Sequence, residues 1–306
     1  MKRRMISGLV AVLLGVVGSV LAIQQASAMN SSEPVWRTTE KPAGQFPASS
    51  SLSQPAATGY VALGDSVAAG LGLAATANAT DSDTQCGRSS QAYANTVASR
   101  LNLPLTSLAC SGAMAGDLVT KQAVEGPNIT AQLDTAFANG TPKFITITAG
   151  ANDVHWDEFI RLCYATNCVT KTNTAIAKAY LVVLKVKLNY ALSSIQVRSA
   201  NSATMPRVIL TGYYNPVSSK CVDTQQNITA SEINWITGQT SQLNQVVKQA
   251  TANYSFARFA PVSFSAHDIC SATPWIQGMN DDAPLHPTAQ GQKVIASAIV
   301  AAYNKK

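Results

Sequence analysis

The chain has 306 residues, of which 46% are hydrophobic and only 12% charged, with a formal net charge of +6 at pH 7. Lys2, Arg3 and Arg4 supply three of those six charges, and the remaining +3 is too small and too scattered to support a nucleic-acid surface. Six cysteines, with no CxxC pair and no clustered His and carboxylate spacing, argue against a metal site and suit disulfides in an oxidising compartment.

Met1 to Ala28 reads as a secretory leader, with a basic start, an apolar run from Leu9 to Ile23 and Ala26-Ser27-Ala28 at the cleavage point. Gly15, Gly18 and Ser19 interrupt that run, which is short for a membrane span. The mature chain is therefore expected to be secreted, with no stable membrane span. Residues 29–57 are rich in Ser, Pro, Thr and Gln without apolar periodicity and read as a linker. Residues 58–306 carry no comparable break and read as one domain.

The first element of that domain is a strand, Tyr60-Val61-Ala62-Leu63, running into the turn Gly64-Asp65-Ser66. A loop with Cys86 follows, then a helical pattern over Ser90 to Leu101, with Tyr93, Val97 and Leu101 on one face. Pro104 to Leu108 is a second strand, ending at Ser111-Gly112. Asn128 to Phe137 suits a helix, and Lys143 to Thr148 a third strand ending at Gly150-Ala151-Asn152-Asp153.

A long helix from about Thr174 to Ala200 buries Leu181, Leu184, Leu188, Leu192 and Ile195. Pro206 to Thr211 is the fourth strand, Ser231 to Tyr254 a helix capped by Ser231, and Phe256 to Phe259 a short fifth strand. The last helix runs from Pro287 or Thr288 to Tyr303. Strands alternating with helices predict an α/β fold, a parallel sheet covered on both faces. Such sheets gather their chemistry at the carboxyl ends of the strands.

Ser66, Gly112 and Asn152 each follow a strand, and His286 precedes the final helix in Pro284-Leu285-His286-Pro287. A serine at a strand-to-helix turn can attack an ester carbonyl if a base takes its proton. His286 is the candidate base, because an imidazole titrates near neutrality. His155 reads as a surface or rim residue, and His267, close to Cys270, as structural. The sequential cysteine pairing, Cys86–Cys110, Cys163–Cys168 and Cys221–Cys270, is the simplest of about 15 and is adopted.

These four blocks, in this order, resemble the SGNH (GDSL-type) hydrolases. The three cysteine pairs and the segment His267 to Trp275 resemble, more narrowly, the secreted actinobacterial-type esterases and lipases of that family. The resemblance implies a three-layer α/β/α sandwich with a flavodoxin-like five-stranded parallel sheet. It also implies a secreted serine esterase or lipase, without cofactor or metal, acting as a monomer on a small acyl ester or lipid. The backbone N–H groups of Ser66 and Gly112 and the side chain of Asn152 would then form the oxyanion hole.

One position departs from the family pattern. Where the histidine's carboxylate partner is expected, three residues before it, this chain has Ala283. Asp282, Asp281 and a backbone carbonyl are the alternatives. Trp156, Phe159 and Trp275 are candidates for the apolar walls of an acyl site. Deacetylation of a polysaccharide and a non-catalytic glycan- or lipid-binding module are the rival functions.

Overall fold

A computed structural model describes residues 58–122, 129–223 and 228–305. The leader and the linker expected over residues 1–57 lie outside the described residues. Five strands form one wholly parallel sheet: β1 (Thr58–Gly64), β2 (Leu105–Ser107), β3 (Pro142–Thr148), β4 (Arg207–Thr211) and β5 (Ala257–Ala260), in the order β2-β1-β3-β4-β5. Eight α-helices are seen among the described residues: α1 (Ser66–Ala69), α2 (Asp81–Cys86), α3 (Tyr93–Leu101), α4 (Gln132–Phe137), α5 (Trp156–Ala165), α6 (Lys171–Arg198), α7 (Ala230–Ala252) and α8 (Ala289–Asn304). Helices α3 and α8 pack together, as do α6 and α7, so the sheet lies in the middle layer of an α/β/α sandwich. None of these helices is long and apolar enough to cross a membrane.

Because the strands are covered on both faces, their side chains are buried whichever way they point. From Phe144 to Thr148, β3 is buried throughout. Its two threonines are paired across the core: Thr146 Oγ1 lies 2.7 Å from the Tyr60 hydroxyl, and Thr148 Oγ1 lies 2.8 Å from that of Tyr93 and 2.7 Å from Thr211 Oγ1. These bonds satisfy hydroxyl groups that would otherwise be stranded away from water. The chain leaves β1 for β2 on one side and returns to β3 on the other. The switch point of the sheet therefore lies between the carboxyl ends of β1 and β3, where such sheets open a crevice for ligands.

Local sequence sets most element boundaries, with informative exceptions. Helix α7 is capped by Thr229 rather than Ser231: Glu232 N donates to Thr229 Oγ1 (3.3 Å), and Thr229 N donates to Glu232 Oε2 (2.8 Å). Two donors are satisfied reciprocally there, which a lone serine cannot match. Helix α4 begins at Gln132, not Asn128. Asn128 is outside the described residues, and Ile129 exchanges two main-chain hydrogen bonds with Gln122, a pairing its local helical spacing does not reveal. Helix α2, where the sequence suggested only a loop, rests on a Thr80–Asp83 capping box, and α5 starts directly after the third block.

Cys86–Cys110, Cys163–Cys168 and Cys221–Cys270 are bonded, closing loops with sequence separations of 24, 5 and 49. In the chain-entropy treatment the longest loop contributes about 4 kcal/mol and the shortest about 2 kcal/mol. A Cys221→Ala/Cys270→Ala variant should therefore unfold at lower denaturant than Cys163→Ala/Cys168→Ala. Denaturation midpoints of the two in the reverse order would show that loop entropy does not set the hierarchy.

Candidate active site

The turn after β1 places Ser66 as the first residue of α1. Asp65 is the cap: its extended backbone ends the strand, and its Oδ1 accepts from Val67 N at 2.9 Å. The helix is a single turn and stops at Gly70, whose φ of +82° suits glycine. Asp65 Oδ2 accepts from the Tyr213 hydroxyl at 2.5 Å. Burial pushes the Asp65 carboxyl up to about 7, against the lowering effect of the Tyr213 and Val67 bonds.

His286 Nε2 lies 2.7 Å from Ser66 Oγ, although 220 residues separate the two in the chain. The other ring nitrogen, Nδ1, lies 3.0 Å from the Pro284 carbonyl oxygen. A carbonyl only accepts, so Nδ1 carries the proton and Nε2 presents its lone pair to the serine hydroxyl. Of the three partners left open by the sequence, the backbone carbonyl is the one that meets the ring. Asp282 is exposed, and the Asp281 carboxylate accepts from Gly278 N at 2.6 Å, so neither carboxylate is the group that Nδ1 meets.

The loop is shaped to present that carbonyl. Leu285 sits at φ +69°, its N–H donates to Gln277 O (3.0 Å), and its carbonyl accepts from the Tyr214 hydroxyl (2.6 Å). Gln277 N in turn donates to His286 O (2.7 Å). A non-glycine residue in the left-handed region is strained, and these bonds hold it there. Burial holds the His286 pKa below the usual histidine value. The Pro284 and Ala283 backbone bonds and the Asp157 charge oppose that shift, while the Arg161 charge adds to it.

Gly112 and Asn152 approach from the other two strand ends. In the loop after β2, Cys110 N donates to Gly64 O (2.9 Å) and Ala113 N to Cys110 O (3.1 Å). Asn152 Nδ2 donates to Ala113 O at 2.8 Å, tying the third block to the second. The Ser66 and Gly112 N–H groups donate to no other group among the described residues. Asp153, beside Asn152, is buried; its carboxylate accepts from Ala115 N (2.7 Å) and pairs with Lys187 Nζ (2.8 Å).

A pocket of about 70 Å³ is walled by Ser66, Asn152, Trp156, Tyr214, Leu285 and His286, with Asp65, Val67, Ala151 and Asp157. Gly112 stands beside this wall rather than in it. Trp156 also lines a small apolar cavity with Phe159 and Trp235. Trp275 is outside both, stacked on His267 at 3.7 Å. His155 is turned to Glu158 (2.9 Å), leaving His286 as the histidine that faces the pocket.

Sequence reasoning missed the supports. Among the described residues four glutamines are buried, and each binds main chain in the segments around the candidate residues. Gln132 grips Gly64, accepting from its N–H (2.7 Å) and donating to its carbonyl (2.9 Å). Gln292 donates to Val67 O (2.9 Å) and accepts from Tyr93 N (2.9 Å). Gln277 donates to Leu71 O (3.1 Å), and Gln122 to Ser111 O (2.9 Å). Gln292 was within reach of the sequence, since it shares the buried stripe of Ile295, Ala296 and Ile299 on α8. The others had no local signal.

The model of the GDSL-like Lipase/Acylhydrolase family matches residues 62–294. A lipase of Streptomyces rimosus is 30% identical over 260 residues, covering 81% of this chain and 88% of that protein. Lipase 1 of Streptomyces coelicolor is 31% identical over 259 residues, covering 80% and 87%. Among solved structures, the extracellular lipase of S. rimosus superposes with a TM-score of 0.63 at 26% identity, over 80% of this chain and all of that one. Phospholipase A1 of Streptomyces albidoflavus NA297 gives 0.61 at 26% identity, over 81% and 100%. Likeness that runs through sequence and fold alike across four-fifths of the chain assigns it: the protein belongs to the GDSL-like lipase/acylhydrolase family.

Proposed function

We propose that the protein is a secreted carboxylic-ester hydrolase that works through an acyl-enzyme on Ser66. The observation that carries this reading is the 2.7 Å contact of Ser66 Oγ with a His286 ring whose Nδ1 is already committed to the Pro284 carbonyl. Ser66 Oγ attacks the ester carbonyl as its proton passes to His286 Nε2. The tetrahedral oxyanion is received by the Ser66 N–H, the Gly112 N–H and the second Nδ2 proton of Asn152, the first being bound to Ala113. Collapse expels the alcohol, which takes the proton from His286. Water activated by the same nitrogen then releases the acid.

Ser66 and His286 form a dyad in this reading, with the Pro284 carbonyl standing where a triad has a carboxylate. The carbonyl dipole orients the ring and stabilises its transient positive charge, the role an aspartate has in a triad. Val67, Trp156, Tyr214 and Leu285 give the pocket an apolar side suited to an acyl chain. The names of the relatives, lipases and a phospholipase A1, support a lipid ester over a polysaccharide acetate. Export is supported by the leader-like Met1 to Ala28 and by the three disulfides. The linker at 29–57 then precedes one catalytic domain.

Hydrolysis of p-nitrophenyl esters from acetate to palmitate by the mature chain should favour the longer acyl groups, and Ser66→Ala should reduce turnover at least ~1,000-fold without altering the circular dichroism spectrum. Undiminished turnover in that variant would remove Ser66 from the mechanism. A preference confined to acetate would favour polysaccharide deacetylation.

The pH profile is a separate test. The base must be neutral, and a lowered histidine pKa keeps it neutral at more acid pH. The acid limb of kcat/KM should therefore fall below about 6.5, the value of a free histidine. A limb displaced upward would mean that the carbonyl and Asp157 outweigh burial.

A further inference from the structure

We propose that Gln122 is a positioning residue for the oxyanion hole, holding the Ser111–Gly112 peptide so that the Gly112 N–H faces the reacting carbonyl. The inference rests on the esterase reading above and deepens it. Gln122 lies ten residues beyond Gly112, is 4% exposed, and donates from Nε2 to Ser111 O at 2.9 Å. In a trans peptide the carbonyl of one residue and the N–H of the next lie in one plane and point in opposite directions. A hand on Ser111 O is therefore a hand on Gly112 N–H.

The rest of the loop shows why such a hold is needed. Ser111 is anchored on its other side, where its N–H and Oγ both donate to Cys86 O (3.0 and 2.8 Å). Beyond it, Gly112 has φ +77°, in the region glycine enters freely. Among the described residues a Cβ built on Gly112 would meet only Gln122 Nε2, at 3.7 Å, so that amide is the described group that packs against the glycine. The Ser111–Gly112 peptide plane is thus a hinge between two fixed ends, and Gln122 sets its angle.

Gln122 is itself well placed to do this. Its main chain exchanges two hydrogen bonds with Ile129, N–H to carbonyl at 2.9 and 3.2 Å, which fix the base of the side chain. Its Oε1, in contrast, is buried with no partner among the described residues. A stranded acceptor is destabilising, and an apolar side chain of similar length would remove the penalty. Flipping the amide would not help, because it would set Oε1 against the Ser111 carbonyl. A group kept at a cost to stability, with its donor on one chosen carbonyl, points to a role in the reaction rather than in folding.

The test is Gln122→Met, which keeps the length and loses the donor. Its thermal midpoint should be equal to or above that of the parent, its KM nearly unchanged, and its kcat lower by roughly 10- to 100-fold, short of the ~100- to 1,000-fold for deleting an oxyanion donor outright. Gln122→Glu, equal in shape but without the donor at neutral pH, should lose at least as much.

The distinguishing readout is the amide proton spectrum of the protein phosphonylated on Ser66. In the parent, the Ser66 and Gly112 protons should both move downfield on adduct formation; in Gln122→Met only the Gly112 shift should be lost. Both shifts retained with kcat unchanged would overturn the role of Gln122 and leave the esterase reading standing. No Gly112 shift in the parent would remove Gly112 from the oxyanion hole, and the inference with it. Equal loss of both shifts with a lower thermal midpoint would make Gln122 a structural residue only.

Discussion

The site depends on how closely the carboxyl ends of β1 and β3 approach. Gly64 has φ +130°, and a Cβ there would lie 2.0 Å from the Thr148 carbonyl oxygen, so no other residue fits between the strands. That carbonyl then accepts from Asp65 N at 2.9 Å. The close pairing ends the strand abruptly, and the next residue begins a helix. Ser66 is thereby lifted to the top of the sheet with its N–H at a helix start, where no intrahelical partner exists. The two hydrogen bonds from Gln132 to the Gly64 main chain keep this corner from relaxing.

Everything opposite Ser66 is then built to reach it. The His286 loop has no regular structure of its own and is held by the Gln277 main chain, the Tyr214 hydroxyl and the left-handed turn at Leu285. Tyr213 and Tyr214, adjacent in the chain, divide the work: one hydroxyl donates to Asp65 below the serine, the other to the carbonyl beside the histidine. One stretch just beyond β4 thus steadies both halves of the serine–histidine pair. Buried polar networks of this kind are rigid only when their members are paired. Here the paired groups are mostly side-chain amides and hydroxyls meeting backbone, which adds little net charge to a small, partly apolar pocket.

Much of this was legible in the sequence. The alternation of apolar runs and amphipathic stretches revealed the parallel sheet, because buried strands and one-sided helices leave different periods. Ser66, Gly112 and Asn152 stood out because each follows a strand, and His286 because it opens the last helix. The third partner of the histidine was legible only as a choice between Asp282, Asp281 and a backbone carbonyl. Asp281 and Asp282 offer the right chemistry at nearly the right spacing, yet the turn at Leu285 gives Nδ1 a carbonyl instead. Backbone atoms have no letter in a sequence. The glutamine clamps were hidden for a related reason, since each binds main chain that only folding brings near, 68 residues away for Gln132 and 225 for Gln292.

By itself, then, the sequence determined the order of the five strands and of most of the helices between them, the residue types at the strand ends and the family to which they belong. These follow from short-range pattern: side-chain periodicity, turn chemistry and caps act within a few residues. Only the tertiary structure decided which carbonyl steadies His286, which glutamine grips which peptide, and where Trp156 rather than Trp275 faces the pocket. Those outcomes are set by distances of a few ångströms between segments far apart in the chain. Hydrogen bonds weaken steeply with such distances, and no local propensity encodes them.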